Sequence, residues 1–155
     1  MIRHQILGGN TSMNRWLIPA AAFLAAAAPA PSADQSAAVG VLNAYYAALN
    51  AGDFPAAYAI WGSDGAASGK SLADFTAGFA ETKSTSVSVV RVGDLDGAAG
   101  SIFLPIDVAI EAVLKNGTRQ HFTGTYTMRR VNDVPGSTAD QRRWHIQSAS
   151  IHPAR

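Results

Sequence analysis

Ile102, Leu104, Ile106, Val108, Ile110, Ala112 and Leu114 place an apolar side chain at every second position without a miss. Alternate side chains of an extended chain point to opposite faces, so this run demands a long strand with one face buried. Lys115-Asn116-Gly117-Thr118 follows it, and the Asn-Gly pair predicts a type I′ hairpin turn with positive φ at both central residues. The return strand, Arg119 to Val131, carries Phe122, Gly124, Tyr126 and Met128 on the matching face. Gly124 in mid-strand favours a bend. A polar loop from Asn132 to Gln141 leads to a last strand starting near Arg142. There Trp144 and Ile146 share a face, and Ala149 and Ile151 resume it after a bulge. Upstream, Val87 and Val89, then Val90 and Val92, describe a first strand with either a bulge or a change of face.

Before the strands the period is helical. Val39, Leu42, Tyr46 and Leu49, with Tyr45 beside them, form one stripe of a helix over Ala37 to Asn50. Gly52 ends it, Asp53 caps a second helix, and Pro55 is tolerated in that helix's first turn. The second helix groups Phe54, Ala57, Tyr58 and Trp61. Ser71-Leu72-Ala73-Asp74 is a capping box with Asp in place of Glu, opening a third helix with Leu72, Phe75 and Phe79. Three helices followed by four antiparallel strands predict an α+β domain with helices over one face of a curved sheet.

What precedes the helices is of a different kind. Arg15 supplies a charged start, Trp16 to Ala28 an apolar stretch, and Pro29 to Ala33 a run of small residues and prolines. Together, residues 13–33 read as a cleavable signal peptide with a cut after Ser32 or Ala33. A membrane span needs about 20 apolar residues, and this run is shorter and interrupted at Pro19. The polar segment 1–12 is expected to be a non-native extension, with Met13 the true start and Gly8-Gly9 a translated ribosome-binding sequence. The single domain is then 34–155, exported to the periplasm or medium, with no membrane span in the mature protein. The 155-residue chain has no cysteine. That excludes disulfides, thiolate catalysis, Cys-zinc sites and a lipid-modified cysteine anchor. A net charge of +1 with scattered Lys and Arg gives no footprint for nucleic acid. The cluster Arg129, Arg130, Arg142 and Arg143 reads as solvated strand ends ahead of a phosphate site.

Tyr45 to Tyr58 (YYAALNAGDFPAAY), Phe122 to Arg130 (FTGTYTMRR) and Trp144-His145-Ile146 resemble the NTF2-like superfamily, which includes SnoaL-like and ketosteroid-isomerase-like proteins. The likeness spans Ser36 to His152 and is closest to small exported bacterial members. It implies a cone of three N-terminal helices packed on a curved four-stranded antiparallel sheet. It also implies, for the enzymes of the superfamily, an acid and a tyrosine inside the cone. Tyr45 or Tyr46, Asp64 and Asp107 are loose counterparts. Asp107, however, shares its face with Glu111, opposite the apolar set, and Asp64 falls in a glycine-rich turn where Asp is common for turn chemistry alone. No catalytic residue is assigned on this basis.

Other motifs carry little. Gly65-Ala66-Ala67-Ser68-Gly69-Lys70-Ser71 has three residues between its glycines where a phosphate-binding loop has four, and it follows a helix instead of a strand. Asn116-Gly117-Thr118 fits a glycosylation sequon, but the turn explains it. His121 and His145 are expected on neighbouring strands of the outer face, near Glu111 or Asp107. Exposed sheet histidines are favoured there over a metal site, and no metal or cofactor is assigned. Tyr45, Tyr46, Tyr58, Trp61, Phe79, Phe122, Tyr126 and Trp144 are the candidate ligand-pocket residues, since tyrosine and tryptophan bring polar tips that a closed core must satisfy. Thr123, Thr125 and Thr127 form an outer row suited to a sheet-to-sheet homodimer, as the superfamily resemblance implies. The leading expectation is a non-catalytic periplasmic domain binding a small apolar or amphipathic ligand or a protein partner. The alternatives are a cofactor-independent isomerase, dehydratase or hydrolase, and a structural or assembly module of the envelope.

Overall fold

The computed structural model describes residues 28–155; the extension 1–12 and most of the expected leader lie outside them. Helix α1 spans Ala33–Asn50 and starts earlier than the apolar stripe indicates, because Ser32 caps it. The Ser32 hydroxyl accepts the Gln35 N–H at 3.2 Å, and Gln35 Oε1 accepts the Ser32 N–H at 2.8 Å. This reciprocal box satisfies two of the orphan donors of the first turn in the uncut chain; a cut after Ser32 or Ala33, where the leader is expected to end, would remove the capping hydroxyl. Ala38, Leu42, Tyr45, Tyr46 and Leu49 are the buried stripe. Gly52, at φ +71°, turns the chain out of α1, and Asp53 caps α2, Phe54–Ala59, through the Ala56 N–H.

Helix α2 stops short of Trp61. Trp61 instead forms a parallel bridge with Ile146, so its indole enters the core from the turn that follows α2. Helix α3 is Leu72–Ala77, capped by Ser71, whose hydroxyl accepts the Asp74 N–H and donates to the Asp74 carboxylate. Phe79 lies just past its end.

The strands are β1 (Thr82–Val92), β2 (Asp96–Ala98), β3 (Ser101–Leu114), β4 (Arg119–Val131) and β5 (His145–Pro153). They form one antiparallel sheet in the order β1-β3-β4-β5, with β2 also on β3. β2 is a fifth strand that the alternation did not announce. Its two-residue connection to β3 is Ala99-Gly100, both at positive φ. The expected bulges occur. Val90 is the extra residue where β1 shifts register, and Gln147 is the extra residue of β5 opposite Thr127 and Met128. The β3–β4 turn differs from expectation. Gly117 alone is at positive φ, and its N–H bonds Leu114 O at 2.9 Å. A turn of ordinary handedness through Lys115 and Asn116, closed by a left-handed glycine, therefore replaces the type I′ form.

Leu104, Ile106, Val108, Ile110 and Ala112 of β3 and Tyr126 and Met128 of β4 are buried against α1, Trp61, Phe75 and Trp144. Gly124 is required by contact. A Cβ there would collide with Ser150 O and lie 2.8 Å from Ile151 Cα, so β5 crosses β4 closely at this point.

Candidate functional site

Burial on one face of β3 and β4 leaves a cleft of about 280 Å³ between the sheet, α1 and the segment after α3. Tyr45 and Tyr46 of α1, Ile110 and Ala112 of β3 and Tyr126 of β4 form its deeper walls. Phe79, Thr82, Thr85, Gln120, Phe122 and Ile151 stand nearer solvent. Two adjacent tyrosines on α1 can both face inward because the cleft wraps around that corner of the helix. Their rings meet edge to face at 5.2 Å, and both lie edge-on to Tyr126. Such packing suits the quadrupoles of the rings.

Tyr46 Oη and Tyr126 Oη share a buried hydrogen bond of 2.9 Å. Burial pushes the hydroxyls of Tyr45, Tyr46 and Tyr126 well above their ordinary range, because a phenolate there would lose its hydration. They are neutral donors and acceptors throughout the physiological range. Trp61 packs on Tyr45 and Tyr126 from behind, and its buried indole N–H has no partner among the described residues. No Asp, Glu, His, Lys or Arg is among the residues that line this cleft.

Of the aromatic residues singled out from the sequence, Tyr45, Tyr46, Phe79, Phe122 and Tyr126 line the cleft together. Tyr58, Trp61 and Trp144 lie elsewhere. The Tyr58 ring covers Gly65 and its hydroxyl donates to Lys70 O at 2.7 Å, closing the loop that resembled a phosphate site. Trp144 is buried beneath the Arg130 guanidinium, 5.5 Å from its ring centroid. Thr82, Thr85 and Gln120, the polar rim, were not anticipated. Thr85 and Gln120 come from strands that only the fold brings together.

The outer face carries two arginine–carboxylate pairs. Asp107 accepts from the Thr125 hydroxyl at 2.6 Å and from Arg91 Nε at 2.8 Å, and these bonds, Thr125 first, hold its carboxyl below the usual range. Thr125 thus commits its hydroxyl within the sheet, between Thr123 and Thr127 of the same row. Glu111 pairs with Arg119 and approaches His121 at 3.7 Å. His121 and His145 lie on neighbouring strands of the outer face, as expected, but not side by side. His145 pairs with Arg129, at the other end of β4, because β5 meets β4 in a register that no local pattern reveals. Among the described residues no group of three His, Cys, Asp or Glu side chains is placed to hold a metal ion. The arginine cluster is divided too. Arg130 pairs with Asp34, Arg142 with Asp133 and Arg143 with Asp140.

The α+β layout with its single antiparallel sheet and helix-side aromatic cleft defines a fold class, and comparison with solved structures names it. The chain has the NTF2-like fold. It is similar to a Streptomyces avermitilis protein proposed to be a dehydratase of the NTF2-like family, with a TM-score of 0.53 and 17% identity. The match covers 81% of this chain and 99% of that one. No protein-family model matches the sequence, and no curated protein matches it. Among the described residues no helix is long and apolar enough to cross a membrane.

Proposed function

We propose that this chain is a non-catalytic NTF2-like domain that works outside the cytoplasm after removal of its leader, and that it binds a small apolar or amphipathic molecule in the aromatic cleft of a helix-and-sheet cone. The observation that carries the reading is the composition of that cleft. Its walls are aromatic and aliphatic, its polar groups are neutral hydroxyls and an amide, and no acid or base stands beside the tyrosines. General acid–base chemistry needs a group that changes protonation near the working pH. The buried tyrosines, displaced upward, do not supply one. Binding needs only an apolar enclosure with a few fixed polar contacts. At about 280 Å³ the enclosure suits a small ligand.

The second reading, a cofactor-independent enzyme, draws support from the proposed dehydratase activity of the Streptomyces protein. It lacks a carboxylate in the cleft, since Asp107 is on the opposite face and Asp64 is outside the lining. The third reading, assembly through the outer face, has no specific observation in its favour.

Native mass spectrometry of the protein purified from its host's periplasm, together with Nile red titration, tests the reading. A retained small-molecule mass, and dye binding lost in Phe122→Trp at the cleft rim, are the expected results. A chain that carries no added mass, and whose Phe122→Trp variant binds the dye as well as the parent does, would sink it.

A further inference from the structure

A second cavity, of about 300 Å³, opens where the outer face of the sheet meets the loop before β5, and it shares no residue with the aromatic cleft. Its walls are polar. Asp64, Asp140, Arg129, Arg130 and His145 all line it, with Arg129 and His145 as cross-strand neighbours.

Most of the charge here is already paired. Asp140 is held by Arg143 and faces His145 at 3.6 Å, and His145 Nδ1 bonds Arg143 O. Arg130 is committed to Asp34 and Asn132. Two charges remain. Arg91, Arg119, Arg130, Arg142 and Arg143 each pair with a carboxylate, whereas Arg129 bonds only a neutral oxygen. Its Nε and Nη2 donate to the buried Ser101 hydroxyl, and its guanidinium rests over the Phe103 ring. The group is therefore fixed in place, with Nη1 uncommitted among the described residues. Asp64, exposed in the same lining, has no hydrogen-bond or ionic partner among the described residues. It sits at φ +52°, between Ser63 at +56° and Gly65 at +93°. That left-handed run is unfavourable for the two side-chain-bearing residues. It is pinned by Gly62 N–H to Ile146 O and Ala67 N–H to Gly62 O.

An anchored cation and an unpaired carboxylate that line one small cavity are complementary to a molecule carrying both charges. We infer that this cavity is a binding site for a small zwitterion of the α-amino-acid class, its ammonium against Asp64 and its carboxylate against Arg129. Charge-assisted hydrogen bonds at both ends distinguish such a ligand from a simple ion.

The test is an amide NMR titration with each of the twenty common amino acids, and with propionate and ethylamine as the two halves of alanine. At least one amino acid is expected to shift the amides of residues 62–64 and 138–147, and to bind about tenfold or more tighter than either half. Asp64→Asn is suited to the left-handed backbone, so it keeps the fold. It is expected to weaken the amino acid about tenfold and to leave propionate binding unchanged. Arg129→Gln should do the reverse, weakening propionate and sparing ethylamine. If no amino acid shifts these amides, or if Asp64→Asn leaves affinity unchanged, the inference is overturned. Equal binding of propionate and the amino acids overturns it as well, in favour of a plain anion site.

Discussion

The side chain of Asn50 stands in for a neighbouring strand at Thr85: its Oδ1 accepts the Thr85 N–H and its Nδ2 donates to Thr85 O, both at 2.7 Å. β1 is an edge of the sheet, and an edge exposes a row of unpaired backbone groups that invites pairing with other chains. At the other end Gln35 Nε2 donates to Gly93 O at 2.9 Å, so both ends of α1 clamp this edge. Asn50→Ala is expected to lower stability by about 1–2 kcal/mol, the net worth of two such bonds. It should also raise the tendency to aggregate at partial denaturation. Urea unfolding and light scattering read the two effects, and an Asn50→Ala protein as stable as the parent would show that the clamp contributes nothing.

Ala99 is expected to be improvable. It occupies a two-residue hairpin connection at φ +47°, beside Gly100 at φ +80°. An alanine incurs a steric penalty in that region that asparagine or glycine largely avoids, and Asn-Gly is the favoured pair for such a turn. Ala99→Asn should stabilise the fold by about 1 kcal/mol, visible as a rise of several degrees in Tm. No rise, or a fall, would remove the assignment of strain to this residue.

Gly124 and Gly97 should differ sharply in their response to the same substitution. A methyl at Gly124 meets the backbone of Ser150 and Ile151, which cannot move aside as a side-chain tip can, whereas Gly97 has nothing within 4 Å. Gly124→Ala is expected to cost about 3 kcal/mol or to prevent folding, in the upper range of overpacking. Gly97→Ala should change stability by less than about 0.5 kcal/mol. Thermal denaturation of the two variants side by side decides the matter.

The tyrosine cluster predicts a one-sided pH dependence. Burial raises the Tyr45, Tyr46 and Tyr126 hydroxyls above the ordinary value near 10. Between the unfolded and folded values the unfolded chain has lost protons that the native state still holds. Their contribution is therefore complete below about pH 10 and is lost as pH rises beyond it. Unfolding free energy should fall above about pH 10, and fall less steeply in a Tyr46→Phe/Tyr126→Phe double variant. Denaturant titrations across the alkaline range, with tyrosinate absorbance as a second readout, measure this. An unchanged slope in the double variant would assign the alkaline loss to other groups.

The strand core was legible because its signal is local. Alternation from Ile102 to Leu114 names the buried face of β3, and the adjacent Val89-Val90 marks the bulge in β1 because two neighbours of one strand cannot both face inward. Ser71 and Asp53 were legible as caps for a similar reason, since the donors they satisfy lie within one turn. β2 was not, because Asp96-Gly97-Ala98 is too short to alternate and Ala99 is not a turn-forming residue. The start of α1 was hidden because Ser32 and Ala33 are also small residues of the kind that end a leader. The aromatic residues of the cleft, Tyr45, Tyr46, Phe79, Phe122 and Tyr126, were all among the sequence candidates, whereas Tyr58, Trp61 and Trp144 lie elsewhere. The separation of His121 from His145, the rim residues Thr85 and Gln120, and the cavity joining Asp64 to Arg129 all depend on strand register or loop placement. No spacing along the chain encodes those.

β4 is a partition with a different tenant on each side. Tyr126 and Phe122 face the aromatic cleft, while Arg129 faces the polar cavity and Thr125 the ion pairs of the outer sheet. Alternate residues of one strand therefore belong to separate chemistries, and point substitutions can retune either side during descent without disturbing the other. A single-residue insertion or deletion within β4 could not do so. Unless absorbed as a bulge, as Val90 and Gln147 are in β1 and β5, it would turn every residue on one side of the change to the opposite face. Lineages carrying this domain should therefore diverge in residue type along β4, except at Gly124, where β5 leaves no room for a side chain, while keeping its length fixed.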